Sequence, residues 1–192
     1  MGKRIILGSG HLYRTDYTAG ATINDPETYC VDANRFSHIK GGATLELTQE
    51  KQQEEDDMGL VRKTKLNVDA AKFTCGMMTI EGAMLQKVLA TASAVENIAA
   101  ASGKKEKNKV KIGGITNEEE APSLWVFHHP DKKDGDIWIM FVGTNDGNLS
   151  FEFKKDGVTL PSLEINADPM DSEGRKVYFY EEVKSAAAST PH

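Results

Sequence analysis

Three groups of side chains in this sequence are of types that do chemistry, and spacing decides what each can do. His128 and His129 are followed by Asp131, a set that could ligate a metal. Neighbouring residues on a strand point to opposite faces, so the two imidazoles do not share one ion. They read as ordinary sheet or surface histidines, and no metal site is expected. The stretch "DKKDGD", residues 131 to 136, has the acids of a calcium loop. It lacks the alternate-position oxygen ligands and the closing bidentate glutamate, so it reads as a turn. The third group is Glu50, Glu54, Glu55, Asp56 and Asp57, followed by Met58, with only Lys51 among them. General acid–base work needs a carboxylate held rigid with a tuned pKa, and no histidine, nucleophile or glycine cradle lies beside these. Such acids face water, a cation, a partner chain, or something negative to be kept away. A dinucleotide-binding glycine motif, GxSxG, HExxH and zinc-spaced cysteines are all missing from the sequence, so a non-enzymatic protein without a cofactor is expected. Cys30 and Cys75 read as free thiols in a chain made in the cytoplasm.

These residues need a scaffold, and 192 residues suffice for one domain that buries roughly 70% of its unfolded surface. A hydrophobic fraction of 39% and a charged fraction of 27% are those of a globular chain. The formal charge of −6 and a pI near 5.4 argue against generic attraction to nucleic acid or acidic lipid. The start, "MGKRIILGSGH", has too few apolar residues for a signal-peptide core or a membrane span, so no membrane association is expected.

Residues 1–40 read as an irregular arm: "GSG", "TAGAT" and "NDPE" are turn chemistry, and only "RIIL" and "ETYCV" suggest short strands. From Ala43 the chain alternates, with Ala43, Leu45 and Leu47 against Thr44, Glu46 and Thr48, the period of a half-buried strand. Leu66, Val68 and Ala70 make the returning apolar face. The result is a long hairpin whose tip, about 50–59, exceeds the usual two to five residues. Residues 80–101 are the one helical candidate, with Met84, Leu85, Val88 and Leu89 at helical spacing; the alanine-rich half after residue 90 could be loop.

After the lysine-rich stretch at 103–111, the pattern predicts strands near 109–116, 123–129, 136–143, 148–154, 158–166 and 176–182. Asp134-Gly135, Asp146-Gly147 and Asp156-Gly157 punctuate them, and Asp-Gly is a strong hairpin signal. "IWIMFV" is apolar on both faces, as in a central strand between two layers. The sum is a mainly β fold: an antiparallel sandwich or barrel with one flanking α-helix and a long β-hairpin loop. The segments are an arm (1–40), a β domain (41–184) and a flexible tail (185–192).

Three stretches carry a resemblance: "YCVDANRFSHIKGGATLELTQEKQQ" at 29–53, the hairpin leading to "IEGAMLQKVLA", and "FEFKKDGVTLPSLEINADPMDSEGRKVYFYEE" at 151–182. In this order they resemble the major tail tube proteins of long-tailed bacteriophages and related prophage particles. The resemblance implies a structural subunit that forms hexameric rings stacked head to tail around a channel for DNA. It implies tape-measure, tail-tip and terminator proteins as partners, and a place in the virion tail after assembly in the host bacterial cytoplasm. It also implies that the arm and the hairpin tip, with Glu50, Glu54, Glu55, Asp56, Asp57 and Met58, make contacts between copies. Lys104, Lys105 and Lys107 are the basic complement expected on a neighbour. An acidic wall would let DNA pass without binding, since phosphate contacts by Lys and Arg dominate nucleic-acid affinity. A second reading, from another class, is a carbohydrate-binding or adhesin module with Trp125, Trp138, Tyr178 and Tyr180 as a stacking platform.

Overall fold

In the computed structural model, residues 10–55, 62–77, 81–89, 91–114, 121–145, 149 and 162–184 are described. The strands are β1 (His11–Asp16), β2 (Arg35–Glu55), β3 (Arg62–Met77), β4 (Glu96–Ile98), β5 (Lys107–Lys109), β6 (Ser123–His129), β7 (Ile137–Asn145), β8 (Ser162–Asp168) and β9 (Val177–Glu181), with one helix, α1 (Gly82–Val88). The main sheet runs β6-β1-β2-β3-β8-β7-β9, and a further pairing of β6 with β7 closes it. Strands β6, β1, β2, β3, β8 and β7 therefore form a barrel-like ring, and all their pairings are antiparallel. The fold is mainly β with one short helix, as the alternating pattern predicts. β9 lies against residues 137–141 of β7, along the stretch that β8, paired only with 142–145, does not reach.

One apolar cluster draws buried side chains from all six ring strands: Leu12, Ile39, Phe73, Trp125, Phe141 and Leu163 are members. A cluster fed by every strand is the barrel interior, filled as small barrels are by side chains rather than a lumen. α1 adds Met84 and Val88 to it, and Asn145 Nδ2 donates to the Val88 carbonyl at 3.2 Å. A second cluster lies on the opposite sheet face, where Tyr13, Leu124, Val126, Trp138, Met140 and Val142 are covered by Tyr17, Ile23, Tyr29 and Cys30. β7 feeds both clusters, Phe141 inward and Met140 outward, so "IWIMFV" is the two-sided strand that its composition implies.

The first forty residues are not all irregular. β1 sits in the middle of the sheet, paired with β6 on one edge and β2 on the other, and Leu12 and Tyr13 are buried. Its short alternating run lacked the length to stand out among turn residues. "ETYCV" is no strand: Pro26–Thr28 is a 3-10 turn, with Pro26 near its start and the Asp25 side chain accepting from Glu27 N–H at 3.1 Å. Proline fixes φ there and removes a ladder donor.

Beyond α1 the alanine-rich stretch gives up helix for β4, which pairs with β5 in a separate two-stranded sheet. The strand expected at 109–116 is displaced to Lys107–Lys109. Asp134-Gly135 lies in the β6–β7 connection, as expected. Asp146-Gly147, Asp156-Gly157, the strand expected at 148–154 (apart from Leu149), "RIIL" and the tail 185–192 lie outside the described residues.

Two glycines shape the ring. Between Ile39 and Ala43 the register against β3 shifts, and Gly42 there has φ +94°, a left-handed value that residues with a Cβ avoid. Gly143 lets β7 approach β8 closely: a Cβ there would run into the Asn166 carbonyl oxygen. Gly143→Ala is expected to lower stability by about 1–3 kcal/mol through this overpacking, read as a lower midpoint in chemical denaturation.

Candidate functional site

The feature left without an explanation inside the barrel is the far half of the β2–β3 hairpin. The ladder continues past the ring to Glu54↔Lys63 and Glu55↔Arg62. Residues 50–55, expected in a loose tip, are therefore strand; Asp56, Asp57 and Met58 lie outside the described residues. Among the described residues, the second edge of β2 is paired only at Arg35, Ser37 and His38, and that of β3 only from Lys72 to Gly76. Beyond Leu47 and Ala71 the hairpin is thus a two-stranded ribbon with no described strand on either edge. An isolated ribbon is marginal in water, and its open N–H and C=O groups are a template for another strand.

The ribbon's faces differ from the expected ones. A register shift between Thr48 and Gln49 pairs Ala70 with Thr48 but Val68 with Gln49, so Val68 and Ala70 fall on opposite faces rather than sharing one. Directly paired residues share a face, which puts Val68 on the side of Leu45 and Leu47. Leu45 packs against the barrel core, whereas Leu47 is 52% and Val68 42% exposed. Together with Glu173, Gly174, Arg175, Lys176 and Val177 they line a groove of about 490 Å³ at the base of the ribbon.

Charge is divided by strand. Glu50 and Glu54 lie on β2, while Arg62, Lys63 and Lys65 lie on β3, with Glu54 opposite Lys63. The acids that seemed to have only Lys51 against them have cations across the ladder, brought there by pairing that linear spacing does not display. Lys104, Lys105 and Lys107 are elsewhere: Lys107 is on β5 and all three are exposed. In that small sheet Glu96 lies 3.6 Å from both Lys109 and Lys111, and Asn97 Nδ2 donates to Glu106 at 2.9 Å. No contact between the ribbon acids and these lysines appears within the described residues of the chain.

The other candidates resolve into structural roles. His128 and His129 face opposite sides of β6. His128 stacks on Trp138 with ring centroids 5.2 Å apart and meets Asp136 Oδ2 at 2.7 Å, while His129 is buried. "DKKDGD" is a turn: Asp131 Oδ1 accepts from the N–H groups of Lys133 and Asp134. Burial opposes the charge on Asp136, but the Asp131 N–H, His128 and Lys184 outweigh it and hold its carboxyl below the usual range. Asp171 makes a similar turn before β9. The Tyr178 hydroxyl and the Arg175 N–H, both donating to it, hold it below the usual range as well.

No group of three His, Cys, Asp or Glu side chains suited to a metal occurs among the described residues. Cys30 and Cys75 are free and belong to opposite faces of the sheet. Burial, joined by Glu27, pushes the Cys30 thiol up to about 11, and burial pushes Cys75 up to about 12; both are poor nucleophiles. The stacking platform does not form: Trp125 is buried in the barrel interior and Trp138 in the outer cluster. Tyr178 and Tyr180 pack against that outer cluster, in register with Met140 and Trp138 respectively. The alternation of β6 and β7 sends the two tryptophans to opposite faces.

No protein-family model matches the chain, and no curated protein matches it. No helix among the described residues is long and apolar enough to cross a membrane.

A carboxylate whose pKa is depressed on folding stabilises the native state above its unfolded pKa, and that stabilisation is lost as pH falls through the folded value. Asp136 and Asp171, both below 3.8 in the folded chain, should therefore contribute to the acid limb of stability. Asp136→Asn combined with Asp171→Asn is expected to lower the urea midpoint near neutrality and to flatten its decline below about pH 4. An acid limb unchanged from that of the parent chain would show that neither carboxylate contributes to it.

Proposed function

We propose that this chain is a non-enzymatic structural subunit of a bacteriophage tail tube, polymerising as hexameric rings stacked head to tail around a channel for DNA. The observation that carries the reading is the ribbon. A closed barrel needs no such extension for its own core, yet β2 and β3 run on together to Glu55 and Arg62 with no described strand on either edge and with Leu47 and Val68 exposed. That is the build of a segment completed by another copy. Its excess of opposite charge on the two strands supports head-to-tail association: Glu50 and Glu54 outnumber Lys51 on one, and Arg62, Lys63 and Lys65 outnumber Asp69 on the other. A heterologous contact of this kind propagates into rings or filaments rather than closing as a dimer.

The remainder follows from the resemblance. A tape-measure protein sets tube length, tail-tip and terminator proteins bound the tube, and assembly takes place in the host bacterial cytoplasm before the subunit enters the virion tail. The formal charge of −6 per chain, repeated around a ring, repels DNA over about a Debye length, roughly 8 Å at physiological salt. The carbohydrate-binding alternative loses its support with the burial of Trp125 and Trp138.

Negative-stain electron microscopy of the concentrated protein is expected to show rings or tubes; monomers at every concentration reject the reading. Glu54→Lys with Glu55→Lys is expected to impair polymerisation. Two rescues then tell the acids' partners apart. Restoration by Lys104→Glu with Lys105→Glu places those lysines on a neighbour against the ribbon. Restoration by Lys63→Glu instead assigns the acids to their own ribbon.

A further inference from the structure

A row of imidazoles crosses the sheet where the barrel closes. His11 on β1 is in register with His38 on β2 and with His128 on β6, and His128 is in register with Trp138 on β7. The His11 and His38 rings meet edge to face with centroids 5.4 Å apart. The β1–β2 seam that carries this pair has only three register partners, with an irregularity between Leu12 and Tyr13. It is the shortest ladder in the ring. Its other contact of note sets the Arg35 guanidinium over the Tyr13 ring, 6.0 Å from the centroid.

The groups facing His11 are unfavourable to a positive charge. From β2 come His38 and Arg35, and from β6 comes His128; the Tyr13 ring of its own strand, 6.5 Å away, is the one aromatic neighbour along that strand. His11 Nδ1 is buried and makes no hydrogen bond among the described residues. Two carboxylates beside the row are engaged, Asp136 with His128 and Asp32 with Arg35 at 2.7 Å. Glu81 lines a separate shallow groove together with His38 and Arg35.

We propose that the β1–β2 seam is an acid-sensitive latch: the barrel holds His11 neutral, its Nδ1 buried without a hydrogen bond among the described residues and its ring against His38, and protonation of His11 loosens β1 from β2. Burial, then Arg35, His38 and His128, holds the His11 pKa below 6.5. A base depressed on folding leaves stability intact at high pH. Stability is lost as pH falls from the unfolded pKa toward the folded one, because the open state takes up the proton first. A protonated His11 then faces the Arg35 guanidinium of β2, and like charges repel across the seam. The latch does not depend on the assembly proposed above, since it is a property of the single chain.

Hydrogen exchange at about pH 7.5 and about pH 5, corrected for intrinsic rates, tests it within one molecule. Protection of the β1–β2 seam amides should fall by about tenfold for each unit by which the His11 pKa is depressed, while the β6–β7 ladder keeps its protection. His11→Gln should abolish the pH dependence of the seam. Should that variant not fold, the exposed His38→Gln serves in its place and should make the fall shallower. Three outcomes each overturn the latch: seam protection that does not change with pH, a fall as large in the folded variant as in the parent chain, or loss at β6–β7 in step with the seam.

Discussion

Backbone N–H and C=O groups removed from water must be paired, and closing a sheet on itself is the arrangement that leaves no edge to satisfy. Here β7 is the strand on which closure depends. One of its edges carries β6 along residues 137–143, and the other is shared between β9 and β8. Because two partners divide that edge, β8 can complete the ring while β9 shields the opening beside it. Gly143, at the junction, permits the approach. The interior cluster and the outer cluster are the two faces of that same strand, so packing and ladder pairing reinforce each other at one place.

Closure also determines what remains open. Once β6, β1, β2, β3, β8 and β7 have used their edges around the ring, the surplus length of β2 and β3 has no further strand beside it among the described residues. The surplus is not featureless. Acids outnumber the single Lys51 on one strand and bases outnumber the single Asp69 on the other, and the register shift after Thr48 turns Val68 toward Leu47 while sending Ala70 to the opposite face. A ribbon built this way can stay in water as a charged hairpin, and still offers another strand an edge of definite sign. The proposed tube subunit rests on that combination. The shortest ladder of the ring, between β1 and β2, is where His11 and His38 meet, so the proposed latch sits where the fewest residues of the ring are paired.

Much of the fold was legible because strand periodicity is a local property. The alternation at Ala43–Leu47, the two-sided "IWIMFV" run, the Asp134-Gly135 turn and the Met84/Val88 spacing all report burial of a single element, and each appears in the structure. Where the reading failed, the deciding contact came from elsewhere in the chain. β1 is a strand because β6 and β2 flank it, not because its own residues insist. The stretch after residue 90 has the composition of a helix but pairs as β4 with β5. Trp125 and Trp138 suggested one aromatic platform until the parity of two paired strands sent them to opposite sides.

The sequence by itself determined the class of fold, the two-layer role of β7 and the short helix. Each follows from the chemistry of a few neighbouring residues. Only the tertiary structure decided that the sheet closes, that Glu54 stands across from Lys63, and that His38, His11 and His128 form a row. Those facts are registers between strands distant in sequence, and a register is selected by the packing of the whole interior rather than by any segment within it.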